Sequence, residues 1–249
     1  MKIGNIELGK LPVVVGTVST KLKMPVEILE KIDVFEIRVD MLLEKCQLSD
    51  IPEVIKAIKY KHEKPLIVTI RSAIEGGRAN VSDTVRSQII DNVISLVDAI
   101  DIELSSPTLL SQVSILCQQH NKIMIASYHN FNETPSNDFM ENLIEQGKKS
   151  GAHIIKIAVK PNSQDDIARL IMFTIKNKKE GLITISLGSL GLISRIINPI
   201  VGSLMTYGYI DDVSSPGQIS VFDCIEYLRL FAPSYNESLI EKLSLLEFV

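Results

Sequence analysis

A chain of 249 residues, 45% hydrophobic and 22% charged, has the make-up of a soluble globular protein that can bury a core without disulfides or metals. Its formal net charge of −4 comes with no basic stripe, which excludes nucleic acid as an expected partner but leaves room for an anionic ligand held by local arginines. The three cysteines, Cys46, Cys117 and Cys224, are odd in number, far apart and in apolar surroundings, so they read as free thiols of a reducing compartment and exclude a disulfide frame or a zinc site.

Residues 1–10 lack the apolar run of a signal peptide, and no stretch approaches the roughly 20 apolar residues of a membrane helix, so the expected location is the cytoplasm, with no membrane partner. Gly4-Asn5 between two short β-prone pieces predicts a hairpin that plugs the bottom of whatever follows. A strand over 12–18 runs into Gly16-Thr17-Val18-Ser19-Thr20, which matches neither a dinucleotide fingerprint nor a P-loop. Then come a helix over 25–32, a strand over 34–38, a helix over 51–61 with Asp50 as N-cap, and a strand over 65–71. A helix over 84–97 leads to a strand over 99–103 and a helix over 107–119, with Ser106 as N-cap and Pro107 in its first turn. Strands over 122–127, 154–159, 182–186 and 202–207 alternate with helices over 137–150, 164–177, 192–198 and 219–231, and Gly151 is placed to stop the first of these.

Eight β-α units with apolar strands covered on both faces predict an α/β fold, a (β/α)8 barrel formed by residues 1–249 as one domain; an open doubly wound sheet is the alternative. From residue 234 onward, Leu239, Ile240, Leu243, Leu246 and Phe248 recur at mostly helical spacing, and this tail over 234–249 reads as a helix packed on the barrel flank.

In a barrel, chemistry sits at the C-terminal ends of the strands. Here those ends carry Glu36, Arg38 and Asp40, then Arg71 with Glu75 beyond, then Asp101 and Glu103, then His129, Lys156, Ser194 and Arg195, and finally Ser214 to Gln218. Strand alternation turns Ile155, Ile157 and Val159 toward the helices and Lys156 into the barrel. Burial among arginines penalises an ammonium, and a neutral amine is what condensation with a ketone requires; the competing reading is a lysine that snorkels to water. His129, at the neighbouring strand end, supplies a group that both takes and gives a proton near neutrality. His62, His120 and His153 fall on or beside helices and read as surface residues. Arg38 with Asp40 reads equally as a structural ion pair or a ligand contact. Arg71 and Arg195 suit bidentate carboxylate recognition, and Ser215-Pro216-Gly217-Gln218 suits a loop that closes over a ligand.

Taken together, Glu36-Ile37-Arg38-Val39-Asp40, Thr69-Ile70-Arg71 with Glu75-Gly76-Gly77, Asp101-Ile102-Glu103, Ser127-Tyr128-His129-Asn130-Phe131, Lys156-Ile157-Ala158-Val159, Gly191-Leu192-Ile193-Ser194-Arg195 and Ser214-Ser215-Pro216-Gly217-Gln218 resemble type I 3-dehydroquinate dehydratase. The resemblance implies a (β/α)8 barrel, a homodimer, no metal or other cofactor, and 3-dehydroquinate as substrate. It implies that Lys156 forms an imine with the C3 ketone, that His129 moves the proton from C2 to the departing C1 hydroxyl, and that Glu75 orients His129. By the same resemblance, Arg195, Gln218 and Ser214 hold the carboxylate, while Glu36 and Arg71, supported by Arg38, hold the ring hydroxyls.

Ile185 and Leu187 stand where the family often has methionine, and Tyr207 where phenylalanine is common; apolar swaps of similar volume leave a pocket wall intact. A sugar-phosphate aldolase on the same barrel would share Lys156 but call for a phosphate site near strands seven and eight. A sensor barrel that binds a small acid would lack the lysine or the histidine. No histidine pair has the spacing of a metal hydrolase.

Overall fold

A computed structural model describes residues 1–19 and 25–246, with side chains described to residue 244. Thr20, Phe248 and the side chain of Leu246 therefore lie outside the described residues. Strands β1 (Lys2–Ile3) and β2 (Ile6–Glu7) pair antiparallel around Gly4-Asn5, as the turn residues predict. Then β3 (Val13–Val18), α1 (Val26–Leu29), β4 (Val34–Arg38), α2 (Val39–Leu42), α3 (Ile51–His62), β5 (Leu66–Thr69), α4 (Asp83–Val93), β6 (Ala99–Glu103) and α5 (Pro107–Gln119) form the first half. The second half comprises β7 (Ile123–Asn130), α6 (Asn137–Lys149), β8 (Ile154–Val159), α7 (Gln164–Lys176), β9 (Leu182–Ser186), α8 (Ser194–Val201), β10 (Met205–Tyr209), α9 (Val221–Phe231) and α10 (Pro233–Leu246).

Strands β3 to β9 pair in parallel in chain order, and β10 pairs with β3. The last gap is bridged by Leu204 N–H on the Leu182 carbonyl at 2.7 Å and by Thr184 N–H on Ser203 Oγ at 3.1 Å. The result is an eight-stranded (β/α)8 barrel, nearly closed, with the hairpin at one end.

Side-chain alternation sorts the core into two parts. Outward-facing Ile155, Ile157 and Val159 pack against Met140 and Leu143 of α6 and against Leu170 and Phe173 of α7. Inward-facing Val13, Val15, Val34, Ile67, Ile125, Ile154 and Ile183 fill the lower half of the interior, together with Ile3 and Leu8 from the hairpin segment. Each such aliphatic side chain contributes about 1.5–3 kcal/mol on full burial, so hairpin and barrel floor stabilise each other. On α10, Leu239 is buried and Leu243 partly buried against the core, while Ile240 faces solvent.

Some boundaries differ from the sequence reading. β7 runs to Asn130, past the predicted end at 127, because its pairing with β8 continues to Asn130 opposite Val159; His129 thus stands within a strand. β5 stops at Thr69 and β10 begins only at Met205, since Gly202, at φ +131, still belongs to the turn closing α8. The one-turn helix α2 springs directly from β4, unforeseen, and fixes Asp40. Asp50 and Ser106 occupy their N-cap positions without capping: Asp50 accepts from Gln47 N–H at 3.1 Å, and Ser106 Oγ accepts from Arg86 Nη1 at 3.2 Å. His62 is half-buried, edge-on to Phe35 at 5.6 Å, and is not the surface residue expected.

Candidate active site

The upper half of the barrel interior is charged where the lower half is apolar. Glu36, Thr69, Asp101, Ser127 and Lys156 form an inner level, all buried. Ser127 is the register partner of Lys156, and His129 that of Ala158, so the histidine sits one pleat above the lysine on the adjacent strand, on the same inward face.

Lys156 Nζ donates to Asp101 Oδ2 at 2.9 Å, approaches Glu36 Oε1 at 3.6 Å, and lies over the Tyr207 ring at 4.0 Å. The expected arginine company is thus corrected: the atoms against the amine are carboxylates, because Arg71 is spent on the far side of the same acids. Its Nη2 pairs with Asp101 Oδ1 at 2.9 Å and its Nη1 with Glu103 Oε1 at 2.8 Å and Ser127 Oγ at 2.7 Å. Burial alone would raise the Asp101 carboxyl, but Arg71 and Lys156 outweigh it and hold it well below the usual carboxylate range. Glu36 accepts from Thr17 Oγ1 at 3.0 Å and Thr69 Oγ1 at 2.8 Å, which anchors both of its oxygens.

Glu75 reaches the site from a single tight turn, Ala73–Glu75, capped by Ser72. The chain folds back there through Gly77, where a Cβ would stand 2.0 Å from the Arg71 carbonyl oxygen, so only glycine fits. Glu75 Oε2 accepts from His129 N–H and meets His129 Nδ1, both at 2.9 Å, while Oε1 accepts from Ser105 Oγ at 2.5 Å. Burial pushes the Glu75 carboxyl up to about 7. Burial first, then Arg71 and Lys156, push His129 well below its ordinary value, so the ring is neutral at pH 7. A neutral imidazole tied at Nδ1 presents Nε2 as its second, basic nitrogen.

Arg195, at the start of α8, is 2% exposed and makes only neutral contacts: Nε to the Gly217 carbonyl at 2.8 Å, Nη1 to the Tyr207 carbonyl at 3.0 Å, Nη2 to Ser215 Oγ at 3.2 Å. Among the described residues no carboxylate pairs with it, and burial lowers the guanidinium to about 10. A buried cation without a counterion calls for an anionic ligand. Around it, Gln218 Oε1 accepts from Ser214 N–H at 2.9 Å and Ser214 Oγ at 2.8 Å, and Gln218 Nε2 donates to Thr17 Oγ1 at 3.2 Å. The loop is held down by Gly188 N–H on the Pro216 carbonyl at 3.0 Å. Arg38 forms a two-pronged pair with Asp40 at 2.7 and 2.9 Å and touches the Ser214 carbonyl at 3.4 Å, so of its two readings the ion pair is realised.

One cavity brings Glu36, Arg38, Arg71, Glu75, His129, Lys156, Arg195, Ser214 and Gln218 together, walled by Ile185, Leu187 and Tyr207. Ser105 and the role of Asp101 as the lysine's partner go beyond the sequence reading: a serine in a loop carries no periodic signal, whereas the pairing could have been read from the inward position of Asp101 on β6. Among the described residues the Tyr207 hydroxyl finds only the Met205 thioether, at 3.9 Å. No group of three or more His, Cys, Asp or Glu side chains among the described residues is arranged to hold a metal ion.

Residues 11–234 match the family described as type I 3-dehydroquinase. The chain is 37% identical over 227 residues to a 3-dehydroquinate dehydratase of Thermodesulfovibrio yellowstonii, covering 90% of this chain and 97% of that one. Among solved structures it is similar to the 3-dehydroquinate dehydratase of Geobacillus kaustophilus, with a TM-score of 0.84 at 26% identity over 92% of this chain and 95% of that one. It is also similar to the type I enzyme of Clostridium difficile with covalently modified comenic acid, with a TM-score of 0.83 at 28% identity over 94% and 98%.

Proposed function

The chain belongs to the type I 3-dehydroquinase family and carries its hydro-lyase activity, the dehydration of 3-dehydroquinate; from that premise we propose that the reaction runs through a covalent imine on Lys156, with His129 carrying the proton. The single observation behind this reading is that the buried Lys156 amine and a histidine tethered by Glu75 line one cavity a pleat apart on adjacent strands. The covalently modified ligand of the Clostridium difficile relative supports a covalent step here.

The steps follow from the groups present. The Lys156 amine adds to the C3 ketone and one water leaves, forming a protonated imine. That cation is a stronger electron sink than the ketone, so neutral imidazole is base enough to take a proton from C2. The electron pair moves into the C2–C3 bond as an enamine. It then returns to form C1–C2 as the C1 hydroxyl departs, and the imidazolium supplies the proton that makes it water. Hydrolysis of the imine restores Lys156, consumes one water and releases 3-dehydroshikimate, for a net loss of one water. Arg195 with Ser214 and Gln218 holds the substrate carboxylate, and Glu36, Arg71 and Arg38 hold or support the ring hydroxyls. Fixing the ring this way converts binding into orientation for the C2 proton. The assembly we propose is a homodimer, supported by the exposed apolar side chains of Leu190, Leu192 and Ile193 ahead of α8; a monomer mass in sedimentation would refute it.

The test is borohydride reduction in the presence of 3-dehydroquinate, followed by peptide mass mapping. We expect a substrate-derived adduct on the Lys156 peptide, none in Lys156→Ala, and an accumulating adduct with stalled turnover in His129→Ala. Normal turnover in Lys156→Ala would end the imine mechanism.

A further inference from the structure

Helix α4 carries a guanidinium that neither lines the cavity nor reaches solvent. Arg86 is 1% exposed; its Nη2 pairs with Glu103 Oε2, and its Nη1 donates to Asp83 Oδ1 at 2.8 Å. The other Glu103 oxygen accepts from Arg71 Nη1 at 2.8 Å and from Ser72 N–H at 2.9 Å. Arg71 Nη2 continues to Asp101 at 2.9 Å, and Asp101 continues to Lys156 Nζ at 2.9 Å. Five buried charges thus alternate in sign from the helix layer to the amine: Arg86, Glu103, Arg71, Asp101, Lys156.

Such a chain is a poor way to gain stability, since a well-packed apolar substitute usually does as well. Its arithmetic at the lysine is more telling. Asp101 and Glu103 lie two residues apart on the inward face of β6, both fully buried, and Glu36 faces the amine from β4. Without Arg86, these three carboxylates would meet two cations, Arg71 and Lys156. Glu103 would then draw Arg71 away from Asp101, and Asp101 would be left to clamp the ammonium. The remaining groups around Lys156 do not offset this: His129 on β7 is neutral, Tyr207 on β10 offers a ring face, and Ile183 and Ile185 on β9 are apolar.

We infer that Arg86 is a positioning residue that sets the reactivity of Lys156 from outside the cavity, by holding Glu103 so that Arg71 stays shared with Asp101. The inference rests on the imine reading of Lys156 and adds a residue to it that touches no substrate.

The test uses the full chain with Arg86→Met, Arg86→Lys and the double variant Arg86→Met/Glu103→Gln. The readout is the rate at which borohydride traps the 3-dehydroquinate adduct, followed from neutral to alkaline pH, with circular dichroism as a check on folding. Arg86→Met should form the adduct on the order of ten- to a hundredfold more slowly at neutral pH, with the deficit narrowing as pH rises. Arg86→Lys should recover part of the rate, and the double variant most of it, because it removes the stranded carboxylate together with the cation. A wild-type rate and pH dependence in Arg86→Met, or a double variant slower than the single one, would overturn the inference. Should Arg86→Met fail to fold, the comparison of Arg86→Lys and the double variant with wild type decides in the same way. Absence of any adduct in the wild-type protein would instead sink the imine reading itself.

Discussion

One carboxylate oxygen, Oε2 of Glu75, accepts the backbone N–H of His129 and meets Nδ1 of the same residue, each at 2.9 Å. This double tie fixes ring rotation and tautomer together. An ionised Glu75 accepts a hydrogen bond from Nδ1–H and leaves Nε2 basic; a protonated Glu75 donates to Nδ1 and turns Nε2 into a donor. Because burial pushes the Glu75 carboxyl up to about 7, the ionised form grows as pH rises through that value. kcat/KM should therefore rise with pH through about 7. In Glu75→Gln, kcat should fall on the order of 10²–10⁴-fold, the usual worth of general acid–base catalysis, and the limb near 7 should vanish from the pH–rate profile. A Glu75→Gln profile that keeps that limb would assign it to another group.

Two of the cavity arginines, Arg71 and Arg195, should part company on mutation. Arg71→Met strands Asp101 and Glu103 and should cost about 3–5 kcal/mol in unfolding free energy, the range for breaking a buried pair. Arg195→Met removes a buried cation that no described acid neutralises, and it should cost clearly less while abolishing carboxylate binding. Denaturant melts together with calorimetric titration of a substrate-like carboxylate check both halves. Equal destabilisation by the two variants would contradict the charge accounting.

Gly217 combines φ +68 with a position where a Cβ would stand 2.2 Å from the Gly188 carbonyl oxygen. Gly217→Ala should keep the loop that carries Ser214 and Gln218 from seating, raising KM roughly tenfold for a strain of 1–3 kcal/mol. The loop lies outside the three hydrophobic clusters, so the melting temperature should hardly move. Steady-state kinetics set beside a thermal melt separate these effects; a large drop in stability would show the loop to be part of the core.

Tyr207→Phe should be almost silent. The ring covers the Lys156 amine, whereas the hydroxyl reaches only a thioether at 3.9 Å, a weak acceptor. Activity within about threefold of wild type and a stability change under ~1 kcal/mol are expected. A large loss would mean that the hydroxyl acts on substrate.

Inward and outward faces were legible in the sequence wherever a strand was short, apolar and regular. Ile154 to Val159 is the clearest case, because its period of two turns its one charged residue, Lys156, inward. What the sequence did not yield was how the charges share one another. Arg71 looked free to clamp an anion because nothing local marks Asp101 and Glu103 as its partners across a strand. Arg86 was invisible for the same reason: on a helix it reads as a solvated arginine, and only the packing of α4 over the end of β6 brings it to Glu103. The helix start at Pro107 was legible, but the capping bond was not: Ser106 stands at the N-cap position with its hydroxyl turned to Arg86.

The hairpin floor has a bearing on traffic. Ile3, Leu8 and the aliphatic layer above them seal the lower end of the barrel with hydrocarbon, so among the described residues the floor offers no polar route out of the cavity. Substrate and product therefore enter and leave at the strand-end side, where Ser214 and Gln218 line the cavity. The Glu75–His129 hydrogen bond lies above that floor, and the apolar layer beneath offers it no chain of polar groups along which a proton could leave downward.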